Sequence, residues 1–312
     1  MSFYRFDNKR VLVTGGTGTI GSEVVKQLLT EGARVIIYSR DQNKQFAMDH
    51  VLCSKRITYR NGDVCDFDLL TRIFNETRPD YVVHCAASKH VPLCEENPDS
   101  AIKINVEGTR NVLRCAFNSN ASRFLLLSTD KAVYPTSTMG FTKALAEKLA
   151  LEFNRVIPVS VVRLGNVFGS NGSVVPTLFD RIKNKLPLLL NDPDAVRYFL
   201  TKRQSGEFIL QSLDKMQGGE IFIPKMKLMR INDLIEAIRP DPAYPVSVRT
   251  LGSGEKLDEE LMTSFEERCL NNFDDRYVIQ QSPVDKDRQD FDIKFFTVTE
   301  IQDLLKGLKH ET

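Results

Sequence analysis

Three glycines in the segment TGGTGTIG have the spacing that a pyrophosphate-binding turn requires. Gly15 would permit a tight turn, Gly18 would let the backbone approach the phosphates, and Gly21 would let the next helix pack closely on the preceding strand. A helix that begins here presents free N–H groups and the positive end of its dipole to the phosphates. The segment therefore predicts a dinucleotide site, whose expected contact residues are Gly15, Thr17, Gly18, Thr19, Ile20 and Gly21.

The ends of the next two strands indicate which dinucleotide binds. An acidic residue at the tip of the second strand would bind the ribose 2′-hydroxyl of NAD, but this tip carries Ser39 and Arg40, which suit the 2′-phosphate of NADP. We therefore predict NADP. NAD is the alternative, in which Arg40 is a solvated charge and Asp41 binds the ribose. Asp63 and Val64 end the third strand, where the adenine ring would lie.

A second polar group, Thr129, Asp130 and Lys131, follows directly on the fifth strand. Polar residues at the carboxyl ends of parallel strands face the ligand crevice. A proton acceptor beside a proton donor is what general acid–base chemistry needs. We therefore expect these residues in the active site, with a solvated turn as the alternative.

Alternating strands and helices must position both groups. Apolar runs predict strands, and apolar positions repeating every three to four residues predict helices. The alternation is typical of an α/β fold, and we predict a Rossmann-type, doubly wound parallel sheet with crossover helices. The predicted strands are 10–14, 34–39, 57–64, 81–87, 123–129 and 158–167, and the predicted helices are 20–31, 100–118, 138–154 and 299–308.

Beyond Gly169, prolines separate shorter elements, which is typical of a smaller lobe. We predict a dinucleotide-binding Rossmann domain of residues 1–168, to which segments around 195–222 return. Residues 169–312 are expected to form mainly a C-terminal substrate-binding lobe.

The composition excludes several classes of protein. The net charge of +1 leaves no basic excess for binding nucleic acid. The six cysteines include no Cys-x-x-Cys pair, so we expect no metal site and interpret them as free thiols of a reducing compartment. The polar start MSFYRFDNKR is unlike a signal peptide, and no apolar stretch is long enough to span a membrane. We expect a cytoplasmic protein with no membrane partner.

With the glycine turn, the segment STDKAVYPTSTMGFTKALAEKL resembles the extended short-chain dehydrogenase/reductase superfamily. That superfamily pairs a Ser or Thr on the fifth strand with a Tyr-x-x-x-Lys helix; Thr129 and Lys143 match, whereas Met139 stands at the tyrosine position. From Arg10 to about Glu260 the chain more narrowly resembles the UDP-N-acetylglucosamine 4,6-dehydratases of flagellin-glycan and capsule synthesis. The segments that carry this likeness are AASKHVPLCEENP, NVFGSNGSVVP, GGEIFIPK and GEKLDEE.

The resemblance implies a lyase with a catalytic NADP. Such an enzyme oxidises C4 of the sugar by hydride transfer to NADP⁺, eliminates water across C5–C6 and returns the hydride to C6. Lys131 is implied as the base at C5, Asp130 as the acid at C6, and Lys143 as the residue that holds the nicotinamide ribose. Because the thioether of Met139 cannot ionise, we hypothesise that Asp130, or Thr129 relaying to it, accepts the proton of the 4-hydroxyl.

The resemblance also assigns residues around the cofactor and the sugar nucleotide. Backbone amides from Ser173 to Pro176 are expected to pair with uracil, and Lys89 is expected to approach the cofactor or the sugar. The further cofactor contacts are Ala86, Ala87, Lys89, Asn105 and Lys143. The substrate contacts are Lys89, Asn166, Ser173, Val174, Val175, Pro176, Arg197, Lys225 and Glu255.

Three questions stay open at this level. We favour a product inverted at C5, the L-arabino keto sugar, over the retained product. A UDP-sugar 4-epimerase or 4-ketoreductase is the alternative enzyme, although both normally use the tyrosine that Met139 replaces. A non-catalytic nucleotide sensor is the third reading. The resemblance further implies a homo-oligomer, either a dimer or a hexamer.

Overall fold

The chain folds around a large, mostly parallel β-sheet in a computed structural model that describes residues 5–282 and 293–309. Within those residues the sheet has nine strands in the order β13-β14-β10-β6-β5-β4-β1-β2-β3. In the described part of this sheet, β14 pairs antiparallel with both β10 and β13, and the other strand pairs are parallel. The order confirms the predicted Rossmann-type α/β fold. The strands are β1 (Arg10–Thr14), β2 (Arg34–Ser39), β3 (Ile57–Asn61), β4 (Tyr81–His84), β5 (Arg123–Thr129), β6 (Val159–Leu164), β10 (Ile221–Pro224), β13 (Leu270–Asn272) and β14 (Arg276–Ile279).

Helices cover both faces of this sheet because its strands are apolar on both sides. On β1, Leu12 packs into one core, while Val11 and Val13 pack into the other. The first core is closed by α3, α6 and α7, and the second by α1 and α9. The helices of the large sheet are α1 (Thr19–Thr30), α2 (Gln42–Leu52), α3 (Phe67–Thr77), α4 (Val91–Glu96), α5 (Pro98–Ile102), α6 (Gly108–Asn118), α7 (Thr138–Phe153) and α9 (Lys202–Lys215).

Smaller sheets form the second part of the molecule. A three-stranded sheet has the order β11-β9-β7, and β12 pairs with β8. Helices α8, α10 and α11 pack with them around a third apolar core. The elements are β7 (Asn166–Val167), β8 (Leu188–Leu190), β9 (Val196–Leu200), β11 (Lys227–Arg230), β12 (Val246–Val248), α8 (Val174–Lys183), α10 (Ile231–Ile238) and α11 (Val298–Lys309).

Several predicted elements end elsewhere than expected. The third and fourth strands stop at Asn61 and His84, before the predicted ends at 64 and 87. The predicted strand 158–167 is broken at Gly165, so its last residues form β7 of the small sheet. The predicted helix 100–118 is interrupted by a π-helical turn, Lys103–Glu107. These corrections matter because each break lies beside the cavity described below.

The chain crosses between the two parts more often than we expected. From the segment 195–222, α9 and the start of β10 belong to the large sheet, whereas β9 belongs to the small one. The strands β13 and β14 also join the large sheet, which the sequence did not indicate. The division at residue 168 stays a prediction. Residues 1–4, 283–292 and 310–312 of the two predicted domains lie outside the described residues.

Candidate active site

A cavity of about 630 Å³ opens at the carboxyl ends of the central strands. It brings together residues from both predicted groups, the glycine turn and the end of β5. The predicted cofactor residues that line it are Gly15, Thr17, Gly18, Thr19, Ile20, Gly21, Ser39, Arg40, Asp63, Val64, Ala86, Ala87, Lys89 and Lys143. The other predicted site residues that line it are Thr129, Lys131, Met139, Asn166 and Ser173.

Tight backbone packing explains the glycines of the turn. Gly15 has a φ of +65°, and a Cβ there would lie 2.9 Å from the backbone nitrogen of Ala86. A Cβ on Gly21 would lie 2.2 Å from the carbonyl oxygen of Gly15. Both distances are shorter than a carbon atom tolerates, so only glycine fits this conformation. The turn and the start of α1 leave a cradle that fits a dinucleotide pyrophosphate.

A buried hydrogen-bond chain holds this turn against β4. The hydroxyl of Thr109 donates to the carbonyl of Asn105 at 2.6 Å, so it accepts from Nε2 of His84 at 3.0 Å. Nδ1 of His84 then accepts from the Thr14 hydroxyl at 2.6 Å, whose oxygen accepts from the backbone N–H of Ala86. Burial lowers the pKa of His84 to about 3, so the ring is neutral.

The far end of the cavity carries two cations, Arg40 and Lys44. The guanidinium of Arg40 lies 3.4 Å from the carboxylate of Asp63. Burial raises the pKa of that carboxyl, but hydrogen bonds from Cys65 and the charge of Arg40 outweigh the effect and leave it below its usual range. Asp41 also lines the cavity; it caps α2 by accepting from the backbone N–H of Lys44 at 3.0 Å, and its other oxygen lies 3.4 Å from Nζ of Lys44.

Lys143 lies on α7 with its ammonium against the end of β5. Its Nζ donates to the carbonyl of Leu127 at 2.6 Å, and burial lowers its pKa to about 8. Asn105, in contrast, does not reach the cavity wall. Its side chain accepts from the N–H of Ser88 at 2.7 Å and donates to the hydroxyl of Thr142 at 2.9 Å. Its side chain therefore links the loop after β4 to α7 without lining the cavity.

Asp130 and Lys131 form a 3₁₀ turn directly after β5. The hydroxyl of Thr129 donates to Oδ1 of Asp130 at 2.8 Å, and Nζ of Lys131 donates to the same oxygen at 3.1 Å. Asp130 is 0% exposed, and its Oδ2 has no hydrogen-bond partner. Thr129 and Lys131 thus face the cavity, whereas Asp130 lies behind them and is reached through the Thr129 hydroxyl.

The structure adds an acidic residue that the sequence analysis missed, Glu259. One of its oxygens lies 3.3 Å from Nζ of Lys131, and the other lies 3.2 Å from Nζ of Lys256. Burial lowers the pKa of Lys131, but the carboxylates of Asp130 and Glu259 more than offset it, and the pKa is raised. Lys131 is therefore a cation in this structure. The sequence shows three acidic residues in a row, Asp258, Glu259 and Glu260, but nothing in this pattern indicates which carboxylate is buried.

Met139 is the residue that the sequence analysis placed at the tyrosine position of the superfamily. It is buried against Cys94 and Ala101, and it also lines the cavity. Its thioether offers neither a proton nor a base to a ligand.

The predicted substrate residues are only partly brought together. Lys89 lines the cavity, where its Nζ donates to the carbonyl of Asn171 at 2.6 Å. Arg197 and Glu255 do not line it: Arg197 donates to the carbonyls of Leu257 and Lys256, and Glu255 accepts from Asn191 at 3.0 Å. Val174, Val175 and Pro176 form the first turn of α8 behind Ser173, outside the lining. Lys225 lies in a second cavity of about 450 Å³.

Comparisons with known proteins show the family of this chain. Residues 11–281 match the family described as "Polysaccharide biosynthesis protein". The chain belongs to this family. A UDP-N-acetylglucosamine 4,6-dehydratase (inverting) of Campylobacter jejuni is 37% identical over 300 residues, which cover 92% of this chain and 88% of that protein. A UDP-glucose 4-epimerase of Rickettsia rickettsii is 35% identical over 286 residues, covering 88% and 83%. The crystal structure of Pen from Bacillus thuringiensis, 31% identical, superposes with a TM-score of 0.89 over 97% of this chain and 98% of that one.

The described part of this family member lacks two kinds of feature. None of its helices combines the length and the apolar character that crossing a membrane requires. No group of three or more His, Cys, Asp or Glu side chains among the described residues is arranged to hold a metal ion.

Proposed function

We propose that this polysaccharide biosynthesis protein is a UDP-N-acetylglucosamine 4,6-dehydratase that uses NADP and inverts C5. The observation that carries the proposal is the Thr129 hydroxyl, which lines the cavity and donates to the wholly buried Asp130. The family membership and the 37% identity to a dehydratase support the same activity.

The cavity fits the cofactor that the proposal needs. The cradle of Gly15 and Gly21 would hold the pyrophosphate, and Arg40 with Lys44 would hold a 2′-phosphate. NADP is favoured over NAD because Lys44 contacts both oxygens of Asp41, the carboxylate that would bind a free ribose hydroxyl. When bound, the nicotinamide supplies reversible hydride acceptance, first from C4 and later back to C6.

A proton route without tyrosine runs from the sugar through Thr129 to Asp130. The Thr129 hydroxyl accepts the proton of the 4-hydroxyl and passes its own proton to Oδ1 of Asp130, 2.8 Å away. Asp130 then returns a proton, again through Thr129, to the C6 oxygen that leaves as water. The proton taken from the 4-hydroxyl during oxidation at C4 is thus the proton given to the oxygen that leaves C6.

Lys131 is the residue that removes the proton from C5. The 4-keto group acidifies that proton, and the amine must be neutral to accept it. Protonation of Asp130 in the preceding step removes one of the carboxylates that hold Lys131 as a cation; this lowers the pKa of Lys131, so its ammonium gives a proton to solvent and leaves the neutral amine that the step needs. Inversion requires that the new proton reach C5 on the face opposite Lys131, so after elimination Lys131 gives its proton to solvent and C5 takes one from solvent on the other face.

A 4-epimerase is the second candidate, because a relative with that name is 35% identical. Lys131 beside Asp130 favours dehydration, because an epimerase that only oxidises and reduces C4 needs no base at C5. Inversion at C5 is favoured over retention because the 37% identical dehydratase is named as inverting.

Incubation of the purified protein with UDP-N-acetylglucosamine and NADP⁺ tests the proposal. We expect the mass of the sugar nucleotide to fall by one water; an altered sugar of unchanged mass would identify an epimerase instead. Proton NMR of the product in deuterated buffer then gives the configuration at C5.

Thr129→Val and Thr129→Ser form a matched pair for the proton route. The valine variant keeps the shape and should lose roughly 10²–10⁴ in rate, as the loss of a proton-transfer group does. The serine variant keeps the hydroxyl and should retain most of the activity. Equal rates for the two variants would contradict the relay.

A further inference from the structure

Charged and polar groups surround the Lys131 ammonium from four elements. Asp130 contacts it from its own turn at 3.1 Å, and Glu259 contacts it from the loop before β13 at 3.3 Å. The side-chain oxygen of Asn166 on β7 accepts from it at 3.4 Å. On β9, the positive charge of Arg197 disfavours the protonated form of Lys131, and burial together with the charges of Tyr277 and Asp130 raises the pKa of Tyr198.

The position of Glu259 is fixed by its surroundings. Its side chain is 3% exposed. Two residues further on, the carbonyl of Leu261 accepts from the buried guanidinium of Arg163 at 2.9 Å. The same guanidinium also bonds Glu147 on α7 and Glu266 at the end of the loop. This network ties the loop to β6 and α7, so Glu259 is held in place by the elements that also form the cavity.

We propose that Glu259 is a positioning residue that aims the Lys131 ammonium and sets the pH at which Lys131 becomes a base. The catalytic role of Glu259 in this proposal rests on the dehydratase function proposed above. When Asp130 accepts the proton of the 4-hydroxyl, it loses its negative charge, and Glu259 remains as the second carboxylate on Lys131. It then stabilises the ammonium that forms as the amine takes the proton from C5. Lys256 shares Glu259 through the other oxygen and so weakens this effect.

Glu259→Gln with Glu260→Gln as its control tests this inference. Glu260 also pairs with Lys256, at 3.1 Å, but its side chain is 52% exposed and it makes no contact with Lys131. The first measurement is acetylation of Lys131 by acetic anhydride as a function of pH, quantified on the Lys131 peptide by mass spectrometry. Only the neutral amine reacts, so this readout needs no enzymatic activity.

In Glu259→Gln we expect the labelling curve of Lys131 to move to lower pH by about one unit or more, because one carboxylate at contact distance is lost. In Glu260→Gln the curve should stay in place. Lys256→Gln should move it in the opposite direction, to higher pH, because Glu259 then serves Lys131 alone. If Glu259→Gln does not fold, the labelling curve of Lys256→Gln still decides whether Glu259 acts on Lys131.

The second measurement is the pH profile of dehydration. The limb that rises with pH should move to lower pH in Glu259→Gln by the same amount as the labelling curve. Unchanged labelling in both Glu259→Gln and Lys256→Gln would overturn the inference, even in an active enzyme. Shifted labelling in a protein that does not dehydrate UDP-N-acetylglucosamine would support the effect of Glu259 on Lys131 and refute the proposed function.

Discussion

Changing Arg40 to glutamine should weaken NADP binding while leaving NAD binding nearly unchanged. The Arg40 side chain is 62% exposed, so its attraction to a phosphate acts in a largely aqueous environment. Two unit charges about 4 Å apart in water attract each other by about 1 kcal/mol. A 2′-phosphate carries a charge of about −1.5 to −2 near neutral pH, so the loss is about 1.5–2 kcal/mol. At 1.4 kcal/mol per factor of ten, the dissociation constant of NADP should rise roughly 10–30-fold.

Isothermal titration calorimetry with both nucleotides measures this directly. The difference between the variant and the unchanged protein should shrink as salt is added, because exposed charges are screened. Arg60→Gln is the matched control: Arg60 pairs with Glu76 at 3.6 Å and does not line the cavity. An equal loss of affinity for NADP and NAD in Arg40→Gln would refute the assignment of Arg40 to the 2′-phosphate.

Two further predictions concern buried charges. Arg163→Met leaves the carboxylates of Glu147 and Glu266 without their cation, and we expect a loss of about 3–5 kcal/mol in the free energy of unfolding. Thermal unfolding should show a melting temperature lower by roughly 6–20 °C, whereas the exposed control Arg155→Met should change little. Since the pKa of Lys131 is raised and the amine must be neutral to act as a base, the dehydration rate should increase with pH, about tenfold per unit at most. Initial rates that fall between about pH 7 and 9 would contradict the role of Lys131 as the base.

Local patterns in the sequence were enough to predict the Rossmann sheet and its glycine turn. The strands β1, β2 and β5 have the predicted bounds, because each is a continuous apolar run between polar turns. The geometry of Gly21 is also local, since the atom that would crowd a Cβ there belongs to Gly15. Strand bounds and turns that depend only on neighbouring residues are therefore predictable from the sequence.

Contacts between distant segments decide the features that were missed. A Cβ on Gly165 would lie 2.7 Å from the carbonyl of Tyr198, so the break between β6 and β7 depends on a partner that is 33 residues away along the chain. The inward turn of Glu259 depends on Lys131, and no pattern near Glu259 records that contact. Arg197, likewise, bonds the backbone of the loop after β12 instead of lining the cavity. Sequence spacing alone does not contain these pairings.

The hydrogen-bond chain through His84 has a consequence for the thermodynamics of cofactor binding. Thr14, His84 and Thr109 satisfy one another without any ligand, and they hold the glycine turn and the loop at Ala86 in one arrangement. The conformational entropy of ordering this wall is therefore lost when the chain folds and not when a dinucleotide arrives. The cradle is preorganised, so more of the contact energy with the phosphates is expressed as affinity.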